Sequence, residues 1–261
     1  MKFPDAKINS IQTITFCMGD LVIMINEQVS KRQLIMGVVL AVMYFFGLFS
    51  ILMTRPVMGI LDQVFTLQPE QQNRIALMLN SLIYIGVFIA FWGFFKQANY
   101  DFRRYWIRNL LWMVWGFCLI FIMGGILIPS LISIFHPVTK SANEVDLRSM
   151  LSSYPFIFTV NVIWIGPVIE ELVYRATIFR TICRKSRSLA YLVSSFLFGF
   201  QHVYKAVVFQ HNYSEMWNIF SYMATGLILA YLYEKRKNIL VPLGAHMINN
   251  GLSVLLYFFS S

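Results

Sequence analysis

The stretch Asn161 to Arg180, NVIWIGPVIEELVYRATIFR, decides how this chain has to fold. Nine mostly apolar residues run into two adjacent carboxylates, Glu170 and Glu171, and Arg175 follows before the apolar residues resume. Charges inside such a run are costly unless something requires them, because an ionisable group facing lipid is strongly unfavourable. On a helix, Glu171 and Arg175 are four apart and share a face, so they can pair. Glu170 is turned about 100° away and has no local partner of that kind. The spacing predicts a structural ion pair beside a free, working carboxylate. The plainer reading is that all three charges only hold helices together.

Working outward, the composition makes the run one of many. The 261 residues are 58% hydrophobic and 13% charged, against about 25% charged in a soluble domain. Mean hydropathy is +0.63. Seven windows approach the roughly 20 apolar residues that cross a bilayer: Leu34 to Met53, Ile75 to Phe95, Ile107 to Pro129, Leu151 to Pro167 with its extension, Leu189 to Val207, Trp217 to Tyr233, and Val241 to Phe259. The predicted class is an all-α polytopic membrane protein with about seven transmembrane helices in one bundle. Cys17, Cys118 and Cys183 lie far apart, have no metal-ligand spacing and read as buried thiols.

Residues 1–30 form an amphipathic amino-terminal segment. Ile11, Ile14, Met18, Leu21 and Ile25 share one helical face. Such a helix lies in the membrane interface; an eighth crossing over residues 8–26 is the alternative. The segment does not read as a cleaved signal peptide, since it lacks a compact apolar core and a small-residue cleavage site. Residues 31–261 read as a membrane-embedded helical domain. The net charge of +9 does not point to nucleic acid, because it collects in short connections. Lys31 and Arg32 precede the first span, and Lys96, Arg103, Arg104 and Arg108 dominate one later connection. Arg180, Arg184, Lys185 and Arg187 dominate another, and Lys235, Arg236 and Lys237 the last. The intervening connections, Thr54 to Arg74, His136 to Arg148 and the one after Val207, are close to neutral. Every second connection is basic, which predicts the amino end inside and the carboxyl end outside.

Two further polar clusters lie in the later windows. His202 follows Phe198 by four residues, so ring and imidazole share a face, and Gly199 between them lets another helix come close. His246 and Asn250 are also four apart. A histidine that only bonds a neighbouring helix would explain either cluster alone; the two together, with a carboxylate pair, are harder to dismiss. His136 and His211 fall in connections and read as ordinary surface residues. A carboxylate can take a proton from water. An imidazole can hold that water or bind a metal that activates it. A second imidazole and an amide can donate to an oxyanion. These are the parts of hydrolysis without a covalent intermediate. The sequence has no HExxH and no GxSxG, and no cysteine stands near a histidine.

These residues resemble the intramembrane CAAX-processing and bacteriocin-processing endopeptidases, whose motifs EExxxR, FxxxH and HxxxN or HxxxD lie on three separate helices. Here they read Glu170-Glu171-Leu172-Val173-Tyr174-Arg175, Phe198-Gly199-Phe200-Gln201-His202 and His246-Met247-Ile248-Asn249-Asn250. The resemblance covers roughly Leu151 to Phe259. It implies catalytic roles for Glu170, Glu171, His202, His246 and Asn250, with Arg175 and Phe198 in support. Glu170 would be the water-activating base, His202 would share the water, and His246 with Asn250 would hold the oxyanion. The family's name as metalloproteases implies a divalent metal such as zinc, held by Glu170, His202 and His246; a mechanism resting on glutamate alone is the other form. The implied substrate is a peptide or protein presented at the bilayer, lipid-modified or a secreted peptide. Small size and the charge pattern are similar to those of bacterial members.

The alternative is a non-catalytic membrane scaffold or chaperone for a partner protein, which would need none of the four residues Glu170, His202, His246 and Asn250. A transporter using the glutamates as a proton relay would carry repeats, and none is visible. Helix rise leaves one strain in the reading. At 1.5 Å per residue, Glu170 lies about 15 Å in from Arg180, His246 about 14 Å from Lys237, and His202 about 22 Å from Arg187. The three meet if the fifth span is tilted or its helix begins late.

Overall fold

The structure, a computed structural model, describes residues 31–45, 47, 52, 54–136 and 140–260. The amino-terminal segment and Cys17 lie outside the described residues. The described residues form ten helices and no strand: α1 (Lys31–Phe45), α2 (Arg55–Phe65), α3 (Pro69–Ala90), α4 (Trp92–Arg104), α5 (Trp106–Phe135), α6 (Ala142–Ser153), α7 (Pro155–Cys183), α8 (Arg187–Phe209), α9 (Ile219–Arg236) and α10 (Leu240–Ser260). The all-α membrane class is therefore the observed one.

Four helices, α3, α5, α7 and α8, are long and apolar enough to cross a membrane by length and composition. Of the other expected spans, Leu34 to Met53 runs partly outside the described residues, within which the apolar part of α1 is Ile35–Tyr44. The other two fall short by composition. Helix α9 ends in Glu234-Lys235-Arg236, and α10 carries His246, Asn249 and Asn250. The outer surfaces of the long helices are apolar: Leu82, Ile85 and Ile89 of α3 and Leu111, Ile122 and Phe135 of α5 are all exposed. Apolar surface on that scale needs lipid rather than water against it.

The connections read as loops turn out to be partly helical. Charge lowers hydropathy without breaking a helix. Thr54 to Arg74 contains α2, closed by Thr66 in the left-handed region (φ 49°), and the start of α3. The basic stretch after Lys96 lies in α4, which buries Phe94, Phe95 and Ala98 while its last turn carries Arg103 and Arg104. Helix α6 begins inside the expected loop at His136 to Arg148, where Ser141 Oγ accepts from the Glu144 N–H at 3.1 Å. Arg180 is likewise buried in α7 rather than in a loop. The expectation of buried thiols holds for Cys183 and fails for Cys118, which is exposed on the outer face of α5.

Helix α7 is the centre of the packing and touches α1, α3, α8 and α10. It widens to π-type turns over Asn161–Ile165 and Leu172–Phe179, on either side of the two glutamates. Such turns often occur at functional sites. Helices α8 and α9 form the most extensive helix contact. Gly199 of α8 faces the backbone of α9, where an added Cβ would lie 2.9 Å from Ile219 O; Gly226 of α9 faces Ser195 in return. Small residues at both positions let the two backbones approach, as the reading of Gly199 expects. Ser194 and Ser195 are fully buried there. At one end the helices are tied by polar bonds: Arg187 reaches Glu234 through Nε and Nη2 at 2.8 and 2.9 Å, and Arg236 donates to Asn109 Oδ1.

Candidate active site

Three helices supply the expected residues, and a fourth adds one. Helix α7 carries Glu170, Glu171 and Arg175, α8 carries Phe198 and His202, and α10 carries His246 and Asn250. Arg175 Nε lies 3.2 Å from Glu171 Oε2, and both side chains are 0% exposed. The pair is ionic by distance without the N–H aligned along a hydrogen bond. The guanidinium also donates from Nη2 to Gly226 O at 3.3 Å and lies over the Phe198 ring, 4.6 Å from its centre. The cation is thus held by a carboxylate, a carbonyl and a π face.

Glu171 has a second partner. Its Oε1 is 3.1 Å from His246 Nδ1, a contact between residues 75 apart in the chain. A carboxylate only accepts, so His246 donates through Nδ1–H and Nε2 is its free nitrogen. That nitrogen stands 3.6 Å from Glu170 Oε2. The side chains of His246 and Glu170 are 4% and 13% exposed. Arg175, Glu171, His246 and Glu170 therefore form one line across α7 and α10. In this line Glu171 orients the histidine in the way outer carboxylates orient imidazoles.

Glu170 is not without partners, as its position on the helix suggests. Tyr44 of α1 donates to its Oε1 at 3.0 Å. Tyr44 accepts from Gln201 Nε2 at 2.8 Å, and Gln201 Oε1 accepts from the Tyr174 hydroxyl. Local sequence gives no sign of Tyr44, an aromatic residue in an apolar window. Gln201 carries a weak signal, being an amide in a span beside His202.

His202 is positioned by its surroundings. Its Nδ1 bonds Phe198 O at 2.7 Å, which leaves Nε2 as the unprotonated nitrogen. Its ring stacks on Tyr222 of α9 at 4.4 Å and 16°, and Tyr222 Oη is held by Ser141 and Asn143. Phe198 lies between the two histidines, with ring centres 4.8 Å from His202 and 5.8 Å from His246. Helix α8 begins at Arg187 itself, so a late start does not remove the axial offset of His202. His202 lies within electrostatic reach of Glu170 and His246 without a direct hydrogen bond to either. Asn250 donates one Nδ2–H to Val162 O of α7 at 3.0 Å and keeps the other. His136 stacks on Trp217, and His211 is exposed.

Unprotonated Nε2 atoms and a carboxylate are donors that zinc accepts. As placed, however, no three His, Cys, Asp or Glu side chains among the described residues stand close enough to hold an ion. Glu170, His202 and His246, the residues expected to share a metal, therefore do not fit a metal centre in this arrangement.

Residues 152–252 match the family described as Type II CAAX prenyl endopeptidase Rce1-like, a stretch that includes all three motifs. The chain is 28% identical over 149 residues to YdiL of Bacillus subtilis (strain 168), whose name describes a membrane peptidase; the match covers 57% of this chain and 56% of YdiL. It is 27% identical over 148 residues to the membrane-embedded CAAX protease MroQ of Staphylococcus aureus (strain USA300), covering 55% of this chain and 56% of MroQ. The UPF0177 protein YxdF of Lactococcus lactis subsp. lactis (strain IL1403) is 25% identical over 164 residues, 60% of this chain and 82% of YxdF. The chain thus spans little more than half the length of YdiL and MroQ. No solved structure matches.

Proposed function

We propose that this chain, whose residues 152–252 form an Rce1-like CAAX endopeptidase domain, is an intramembrane endopeptidase that hydrolyses a peptide bond in a membrane-associated substrate. The observation that carries the reading is the 3.6 Å gap between Glu170 Oε2 and His246 Nε2, two acceptors held by separate partners on separate helices. A water beside both atoms, off the line that joins them, can donate one hydrogen bond to each. Glu170 Oε2 takes one proton as the water oxygen bonds to the scissile carbonyl carbon. The carbonyl oxygen becomes an oxyanion, for which Asn250 has an Nδ2–H to spare; the second proton of the water passes to His246 Nε2, which then donates to that oxyanion and gives the proton up as the products leave. Glu170 then passes its proton to the departing amine as the C–N bond breaks. The products are a carboxylate and an amine. His202, braced by Phe198 and Tyr222, keeps an unprotonated Nε2 within electrostatic reach of Glu170 and His246.

A cavity of about 470 Å³ lies between α3, α4, α7 and α10. That falls in the range of about 300–1,000 Å³ typical of ligand sites. Glu170, His202, His246 and Asn250 do not line it; Val168 and Met247, close to Glu170 and His246 in the chain, do, together with Tyr84, Phe88, Trp92 and Lys96. Its apolar wall supports a substrate with a bulky apolar or lipid-modified end, and Lys96 supports a negative group near that end. The chain and its relatives' names do not require a scaffold role, and the buried Arg175–Glu171–His246 line serves no surface that a partner would touch.

The test is product formation. Purified protein in vesicles is mixed with a pool of single-span and lipid-anchored peptides, and fragments are read by mass spectrometry. Cleavage at one internal bond, reduced at least about 100-fold by His246→Ala, is the expected result. Tight binding of a peptide with no fragment from any member of the pool would overturn the enzymatic reading in favour of the scaffold.

A further inference from the structure

The hydrogen bonds around Glu170 fix a direction that none of the three motifs contains. Glu170 as a carboxylate only accepts, so the single proton of Tyr44 must point at Oε1, 3.0 Å away. The Tyr44 oxygen can then only accept, so Gln201 turns its nitrogen to it at 2.8 Å. The Gln201 oxygen is left for Tyr174, which donates to it. Three donors in series, from α7, α8 and α1, all point at one carboxylate oxygen. Hydrogen bonds in such a chain polarise one another. Helix α1 is packed closely on α7 where they meet, with Gly37 against Thr177. The Tyr84 ring also sits edge-on to Tyr44 at 6.1 Å.

We propose that Tyr44 is a positioning residue for the proposed reaction: by holding Oε1 it fixes Glu170 so that Oε2 alone works as the base, and Gln201 and Tyr174 keep Tyr44 in that orientation. This rests on Glu170 being the base. Without the Tyr44 hydroxyl the carboxylate is free to turn, and the oxygen facing His246 is no longer one fixed atom. Placement errors of this kind act on the reacting geometry rather than on substrate binding. The site thereby requires α1 for chemistry that the second half of the sequence otherwise carries.

The experiment measures kcat and KM of Tyr44→Phe, Gln201→Leu, the double variant and Glu170→Gln on one cleaved peptide, per mole of folded protein from size exclusion. Tyr44→Phe is expected to lower kcat about 10-fold with KM unchanged, the signature of an interaction made in the transition state. Gln201→Leu is expected to lower kcat less, and the double variant to be no worse than Tyr44→Phe alone, since Gln201 acts only through Tyr44. A purely structural role would lower the folded fraction and give additive losses. Wild-type kcat in Tyr44→Phe, a loss confined to KM, or additive losses would overturn the inference. If Tyr44→Phe does not fold, Gln201→Leu decides, and an unchanged kcat there overturns it. An inactive Glu170→Gln beside a fully active Tyr44→Phe refutes only the role of Tyr44. An active Glu170→Gln refutes the base itself.

Discussion

Glu170 and Glu171 are neighbours in sequence and have opposite surroundings. Glu171 is sealed between Arg175 and His246, whereas Glu170 keeps one oxygen open. The i,i+4 spacing makes the first half of this legible, because a helix alone places Arg175 beside Glu171. The contact with His246 is not legible, since it depends on how α10 packs on α7 across 75 residues. The same limit hides Tyr44, whose partner Glu170 is 126 residues away. Arg175→Ala strands Glu171 as a buried charge, and breaking such a pair from one side costs about 3–5 kcal/mol. The expected outcome is a large fall in the thermal midpoint in detergent. An unchanged midpoint with full activity would refute the structural role.

At the level of elements, the site depends on how closely α8 and α9 approach. Tyr222 can stack on His202 only because Gly199 and Gly226 let the two helices meet backbone to backbone. Gly199→Val would put its Cβ 2.9 Å from Ile219 O and 3.1 Å from Met223 N, positions that cannot yield as a flexible side chain could. Overpacking of this kind costs about 1–3 kcal/mol. The variant should melt earlier, and it should lose activity by displacing Tyr222 from His202. A variant as stable and active as the parent would contradict the packing argument. Long apolar runs made the long helices readable, with α8 and α10 lying within two residues of their expected bounds and α5 running six residues past its expected end. It failed for α2, α4 and α6, because charged residues mark a change of surroundings and not the end of a helix.

For the whole molecule, alternating basic connections predict a fixed orientation. In a cysteine-free background, a cysteine at Arg103 should resist a membrane-impermeant maleimide added outside intact cells. A cysteine at Glu144 should react. The opposite labelling would reverse the proposed topology. Among the described residues, four helices are long and apolar enough to span. Of the remaining expected spans, α9 ends in charged residues and α10 carries His246, Asn249 and Asn250, whereas α7 and α8 keep their hydropathy although they carry Glu170, Glu171, Arg175 and His202. The motifs still locate the centre: α7, α8 and α10 bring together residues that are up to 80 positions apart.

The claim on which the rest depends is that Glu170 is the base. The most direct measurement is the cleavage rate of Glu170→Gln against the parent on one membrane peptide, with equal amounts of protein of matching thermal midpoint. Exchange of one oxygen for an amide keeps the size of the side chain and removes the proton acceptor, so the account predicts a loss of at least about 100-fold. Turnover within a few-fold of the parent would contradict it.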